Sequence, residues 1–361
     1  MPKAIFHKSR ITGVVTAVPP NRRSIDDEIE QYGGDRAQIE RIKKTIGLRE
    51  RYVVDENTTS ADLCERAAFA LLGDCGAAVD SIDGVIMVTQ TPDYFQPATA
   101  CVLHGRMGMK EDCAAFDVNL GCSGYVYALW LAAMMIESGG CGRVLVLAGD
   151  TISRCVNPRD RTVAPLFGDA GSATLLEASE GANLSYFDVK TDGEGFGHII
   201  VPAGAFRQPR SEETGRESKD EGGNIRCAED LYMNGAEVFN FSLKVEPTAL
   251  RDIMNYAGIG SDEVDAFVLH QANRYIIGNI ARRLKVSLDK IPAGTVEKYG
   301  NQSCASIPGT LCDVFGKRAI AERLRVVFSG FGVGLSWASA FLVLDRLKSC
   351  RIVFYQDPNG D

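Results

Sequence analysis

Runs of apolar residues recur along the chain at strand length: DGVIMVTQ (83–90), AAFDVNL (114–120), RVLVLAGD (143–150), AFVLHQ (266–271) and RVVFSGF (325–331). They are continuous rather than alternating, as expected of strands covered on both faces. Between them the apolar positions repeat at helical spacing, predicting helices over Ser60–Leu72, Gly124–Glu137, Glu237–Tyr256 and Tyr275–Leu284. Strands alternating with helices define an α/β class. The polar, glycine-rich stretch 204–226 reads as a long exposed loop, and the tail CRIVFYQDPNGD as an edge strand that then frays.

The pattern also repeats on a larger scale. A helix leads into VDSIDGVIMVTQ (79–90), and later another leads into GSDEVDAFVLHQ (260–271), each with an acidic turn before a buried strand. FGDAGSATLLEA (167–178) resembles GFGVGLSWASAFLVL (330–344): a glycine turn, small residues, then an apolar run. Two such pairs in the same order point to a duplicated architecture, with halves at 1–180 and 181–361.

Composition narrows the function. The 361 residues carry 39 Lys and Arg against 47 Asp and Glu, a net charge of −8, which argues against nucleic-acid binding. Nothing in the first residues resembles a secretory leader, and the most apolar stretch, 125–136, is too short to span a bilayer. Eleven cysteines without a CxxC pair read as reduced thiols, so a cytoplasmic protein with neither disulfides nor a metal site is expected.

One cysteine stands apart. In NLGCSGYVYALW (119–130), Cys122 lies between glycines where an extended run gives way to a helix. Unpaired N–H groups and the helix dipole there favour negative charge, so a lowered thiol pKa and a nucleophile are expected; the plain alternative is a core cysteine. Only four histidines are available as partners, and His270 ends a buried strand, where α/β folds place their sites. Asn301, in the glycine turn of EKYGNQSCASIPGTL (297–311), can offer an amide to a developing oxyanion or simply serve the turn. The glycine-dense loop SGFGVGLSWAS (329–339) can present a backbone N–H.

Taken in order, GCSGY, HQAN, YGNQSCASIP and GFGVGLSW resemble the β-ketoacyl-acyl carrier protein synthase III family of thiolase-fold condensing enzymes. TIGLRERYVVDENTTSADL (45–63) and NPRDRTVAPLFGDAGSATLLEAS (157–179) extend the resemblance over most of the chain. It implies a five-layered αβαβα sandwich of two similar halves and a homodimer. It also implies acyl transfer to Cys122, then decarboxylative Claisen condensation with a malonyl thioester. His270 and Asn301 would stabilise the enolate, and the N–H groups of Cys122 and Val333 the tetrahedral oxyanion. Acyl-CoA or acyl carrier protein thioesters are then substrates, with no further cofactor.

By the same resemblance Lys44, Arg161 and Arg274 are expected to contact substrate and Phe95 and Gln96 to line the acyl pocket, while the local basic cluster of Arg282, Arg283 and Lys285, read as lying beside Arg274, is expected to dock an acidic carrier protein. The chain departs from the family where IERIKKTIGLRER places Glu40 and Lys44 at positions where a Trp and an Arg commonly grip adenine. A specialised acyl donor other than acetyl-CoA is therefore expected. An acyltransferase of the same fold acting on an alcohol or amine, and a cysteine hydrolase, are the alternatives.

Overall fold

The computed structural model describes residues 2–32, 34–181 and 183–355. Its main elements, in chain order, are β1 (Lys3–Phe6), β2 (Ser9–Val18), α1 (Arg36–Thr45), α2 (Ser60–Cys75), β3 (Gly84–Val88), α3 (Thr99–Arg106), β4 (Ala114–Val118), α4 (Gly124–Glu137), β5 (Arg143–Asp150), β6 (Ala170–Ala178) and β7 (Ser185–Thr191). There follow α5 (Gly235–Ala257), β8 (Ala266–Leu269), α6 (Arg274–Leu284), α7 (Ser306–Thr310), α8 (Gly316–Ala321), β9 (Arg323–Gly332), β10 (Ser336–Asp345) and β11 (Ser349–Phe354). A π-helical stretch, Leu311–Phe315, joins α7 to α8.

The helices start and stop for local reasons. Asp62 accepts from the Thr59 N–H at 2.8 Å in a capping box ahead of α2. Asn273 caps α6 by accepting from the Ile276 N–H at 2.8 Å, so this residue of the HQAN motif is structural. Helix α4 lacks a polar face and lies buried between two sheets.

The duplication is written in the sheets. One runs β11-β2-β6-β5-β3-β4, the other β1-β7-β10-β9-β8. In each, the first long strand of the half lies antiparallel to the last, which is antiparallel to the one before, which is parallel to its other neighbour. The acidic turns of the two rhyming segments are 3₁₀ turns, Val79–Ser81 and Ser261–Glu263, ahead of β3 and β8. The exchange of terminal strands was not legible: β1 completes the second sheet and β11 the first, so a division at residue 180 is crossed at both ends. Strand β11 is the edge strand expected of the tail; residues 356–361, where fraying was expected, lie outside the described residues.

Alternate residues of each strand enter different cores, which explains the continuous apolar runs. Ile86, Val88, Val144 and Val146 of one sheet and Val268, Val326 and Phe328 of the other face the middle layer of α4, α7 and α8. Val85, Met87, Leu145 and Leu147 pack outward on α2 and α3, while Phe267, Leu269 and Val327 pack on α5 and α6. Three cores separated by two sheets give the thiolase-like αβαβα sandwich. The 204–226 stretch is more structured than its composition suggests: Ser218–Lys219 pairs with Ile225–Arg226, and Arg226 bonds both Asp160 and Asp220 at 2.8 and 2.9 Å.

On the inner face of α5, Glu246 is fully buried, and neither carboxyl oxygen has a hydrogen-bond partner among the described residues. Burial pushes its pKa up to about 8. The fold therefore holds the protonated acid. Its contribution is fully present below the ordinary value of 4.5 and is lost as pH rises toward about 8, at about 1.4 kcal/mol per pH unit. Thermal melts of wild type and Glu246→Gln should diverge across that window, the variant gaining relative stability as pH rises. A constant difference between the two would contradict the assignment.

Candidate active site

Cys122 sits in the turn that opens α4, one residue before the helix cap Ser123. The second half comes to it edge-on. Gly330, near the end of β9, passes so close that a β-carbon there would overlap the Cys122 carbonyl. A β-carbon on Gly332 would stand 2.7 Å from the sulfur. The backbone N–H groups of Val333 and of Cys122 itself face the sulfur, as does the Ser303 hydroxyl, and all three favour its anion.

Burial nonetheless wins. Cys122 is 8% exposed, and desolvation together with the negative charge of Asp150 pushes its thiol up to about 12. This corrects the expectation of a lowered pKa: the helix start supplies donors, but the surrounding apolar walls remove more solvation than they return.

His270 follows β8 and extends its ladder by one bond, its N–H donating to the Ser329 carbonyl at 2.9 Å. The ring is buried edge-on to Phe331, with centroids 5.7 Å apart. Burial pushes its pKa down to about 4, opposed by the Ser303 backbone, so the imidazole is neutral at neutral pH.

Asn301 is fixed by its backbone on both sides. Its N–H donates to the Leu166 carbonyl at 2.8 Å, and its carbonyl accepts from the Gly168 N–H at 3.1 Å. Its side-chain oxygen accepts from the Ser303 N–H at 3.0 Å, leaving the NH₂ end of the amide to act as donor. Ser303 holds a left-handed backbone, φ 49°, which costs energy in a serine and is overdetermined by these contacts. It is the residue at which Cys122, His270 and Asn301 meet.

Sequence reasoning had no signal for Ser303. It also missed Asp150, buried behind the site, whose Oδ1 accepts from the Gln90 N–H at 2.7 Å and the Thr89 hydroxyl at 3.2 Å.

The expected substrate contacts are less gathered. Phe95 and Gln96 do not line an interior pocket of the single chain. Phe95 is 74% exposed, touching Phe206 at 5.9 Å between ring centroids, because the segment swings outward before α3 begins. Lys44 at the end of α1 and Arg274 at the start of α6 share one edge: the Arg274 N–H donates to the Ile46 carbonyl at 2.8 Å. Arg161 projects separately from the turn after β5 and is exposed.

The basic residues at the far end of α6 stand about 12 Å along the helix from Arg274 rather than beside it. Arg283 donates to the Leu243 carbonyl at 2.6 Å and so ties α6 to α5. Arg282 bonds Asn279 at 3.1 Å, and Lys285 is the helix's left-handed C-cap.

A thiol at a helix start, an imidazole and an amide at strand and turn ends, and a two-half αβαβα sandwich define a thiolase-fold condensing enzyme. Comparison with known proteins agrees. Residues 116–193 match the family model for 3-oxoacyl-[acyl-carrier-protein] synthase III, and residues 254–344 match the model for its C-terminal part. A putative 3-oxoacyl-[acyl-carrier-protein] synthase 3 from Campylobacter jejuni is 37% identical over 354 residues, covering 98% of this chain and 99% of its own. A β-ketoacyl-[acyl-carrier-protein] synthase III from Neisseria gonorrhoeae is 32% identical over 339 residues, covering 92% and 98%. The crystal structure of a 3-oxoacyl-(acyl-carrier protein) synthase from Burkholderia xenovorans LB400, 38% identical, matches with a TM-score of 0.91 over 98% of this chain and 99% of that one. The chain belongs to the 3-oxoacyl-acyl carrier protein synthase III family and is a condensing transferase.

The buried thiol makes a prediction. Iodoacetamide labelling of Cys122, followed by peptide mass spectrometry, should speed up about tenfold per pH unit and continue rising past the ordinary thiol value of about 8.5. A plateau below that pH would show a stabilised thiolate instead.

Proposed function

We propose that Cys122 carries the acyl group and that His270 and Asn301 carry the decarboxylation. The observation behind this reading is the convergence of all three residues on Ser303, with the imidazole held neutral. In the first step the Cys122 thiol gives up its proton and the sulfur attacks the carbonyl carbon of an acyl thioester. The oxyanion lies between the Cys122 and Val333 N–H groups, and the donor's thiol leaves with the proton. In the second step a malonyl thioester places its carbonyl oxygen against the His270 N–H and the Asn301 amide. The bond to its carboxylate breaks, carbon dioxide departs, and the enolate carbon attacks the acyl-cysteine. Neutral donors suit this step, since they stabilise the enolate oxygen without surrendering a proton to the carbon that must react.

Carrier-protein thioesters are the proposed donors in preference to acetyl-CoA. Glu40 pairs with Lys43 at 3.3 Å, and Lys43 also bonds Asp26 at 2.7 Å. Neither residue offers a flat surface for adenine, and Lys44 lacks the guanidinium plane. Carrier docking falls to Arg282 and Lys285, since Arg283 is tied to α5. A cytoplasmic homodimer is proposed as well, supported by the exposed aromatics Tyr94, Phe95 and Phe206. Among the described residues no helix is long and apolar enough to cross a membrane.

Intact-protein mass spectrometry tests the roles. Cys122→Ala should abolish acyl loading. His270→Ala and Asn301→Ala should still load but lose malonyl decarboxylation by about 100-fold or more. Loss of loading in a folded His270→Ala protein would move His270 to activation of the nucleophile alone. For the donor, one acyl group should be offered on CoA, on acyl carrier protein and on a pantetheine mimic. Fastest loading of Cys122 from acetyl-CoA would refute the carrier preference.

A further inference from the structure

The two N–H groups facing the Cys122 sulfur come from different halves, 211 residues apart. Their spacing must be fixed by something that crosses between the halves, and one side-chain chain does so. Ser123 occupies the cap position of α4, where a serine hydroxyl ordinarily accepts from an N–H of the first helical turn. Here it makes no such bond. Its Oγ lies instead 2.7 Å from Ser336 Oγ, across the middle of the molecule, and both side chains are buried.

The direction of this bond follows from donor counting. Ser336 Oγ also lies 2.8 Å from the Val333 carbonyl, which can only accept. A hydroxyl has one proton, so Ser336 donates to Val333, and Ser123 donates to Ser336. The loop carrying Val333 is closed at its base by the Gly332–Ser336 pairing and held outside by Leu335, which exchanges backbone bonds with Asp192 at 2.8 and 3.0 Å. Besides the Val333 N–H that faces the sulfur, the Ser123–Ser336 chain joins that loop to the nucleophile's turn.

We propose that Ser123 and Ser336 are positioning residues that set the separation of the Cys122 and Val333 N–H groups, and thereby tune the oxyanion hole. This rests on the reading of Cys122 as the nucleophile. Removing the Ser123 hydroxyl frees Ser336 from the first half. It leaves His270 and Asn301 in place, while the Val333 peptide can drift away from the sulfur and from the developing oxyanion.

Two reactions at the same sulfur separate this from general damage. Acyl transfer from a thioester passes through a tetrahedral oxyanion. Alkylation by iodoacetamide expels iodide from a saturated carbon and builds no charge on oxygen. In Ser123→Ala the saturating rate constant for acyl loading should fall about tenfold, with little change in the half-saturating thioester concentration. The alkylation rate constant, which feels the Val333 N–H only through the thiolate population, should fall clearly less than the loading rate, by no more than about threefold. Ser123→Thr, which keeps the hydroxyl, should recover loading, and Ser336→Thr should retain it, providing a second readout if the alanine variant folds poorly.

Equal losses in acylation and alkylation, or unchanged loading in Ser123→Ala, would overturn the proposal. A Thr variant at Ser336 that folds yet loads as slowly as Ser123→Ala would also count against it. Peptide mapping identifies the acylated residue in every arm. Acylation away from Cys122 would overturn the nucleophile assignment itself, an outcome distinct from failure of the serine pair.

Discussion

The site depends on the approach of β9 to the turn before α4, where Gly330 lies against the Cys122 carbonyl with no room for a side chain. Two sheets and three cores are arranged so that this approach happens. The middle layer is apolar on both faces, with α4 from one half and α7 from the other packed between the sheets. Burial of that layer supplies the cohesion, and the glycine lets the backbones meet. Without the meeting there would be two partial sites, one with a thiol and one with an imidazole and an amide.

Enclosure sets the electrostatics as well. The same burial raises the thiol to about 12 and lowers the imidazole to about 4, so the resting pair is uncharged. A resting ion pair would need solvent or fixed charges that the apolar walls exclude, and Asp150 behind the site works against a thiolate. The donors aimed at the sulfur are therefore better matched to charge that appears on a bound carbonyl oxygen during reaction than to charge stored beforehand. Ser303 contributes to this by fixing which end of the Asn301 amide points outward.

Much of the fold was readable because its signals are local. Helix α4 begins and ends where its apolar spacing does, and the continuous strand runs follow from sheets covered on both faces. The gathering of Cys122, His270 and Asn301 was foreshadowed because each sits at an element boundary in a distinctive motif. Residues that act across the halves were not. Ser123 and Ser336 are unremarkable serines 213 positions apart, and the left-handed backbone of Ser303 is imposed by tertiary contacts. Where Phe95 would face was not readable either, because a hydrophobic residue in a loop carries no sign of which surface it will meet. The Cys122 pKa misled because the helix dipole is a local property and desolvation is not.

The exchange of terminal strands bears on how the chain is made. Strand β2 acquires its parallel neighbour β11 only when residues 349–354 emerge, although most of its sheet is finished some 170 residues earlier. During synthesis that sheet presents an open edge, a surface prone to pairing with other chains. Strand β1, made first, must likewise wait for β7. Each half is thus held unfinished by the other, and the sequence separation of these pairings favours slow, late closure over stepwise maturation. A nascent chain cut short would retain its thiol-bearing turn but lack the strand that seals it. Such a fragment is a natural substrate for chaperones and proteases, and few half-built copies with a thiol open to stray acylation would persist.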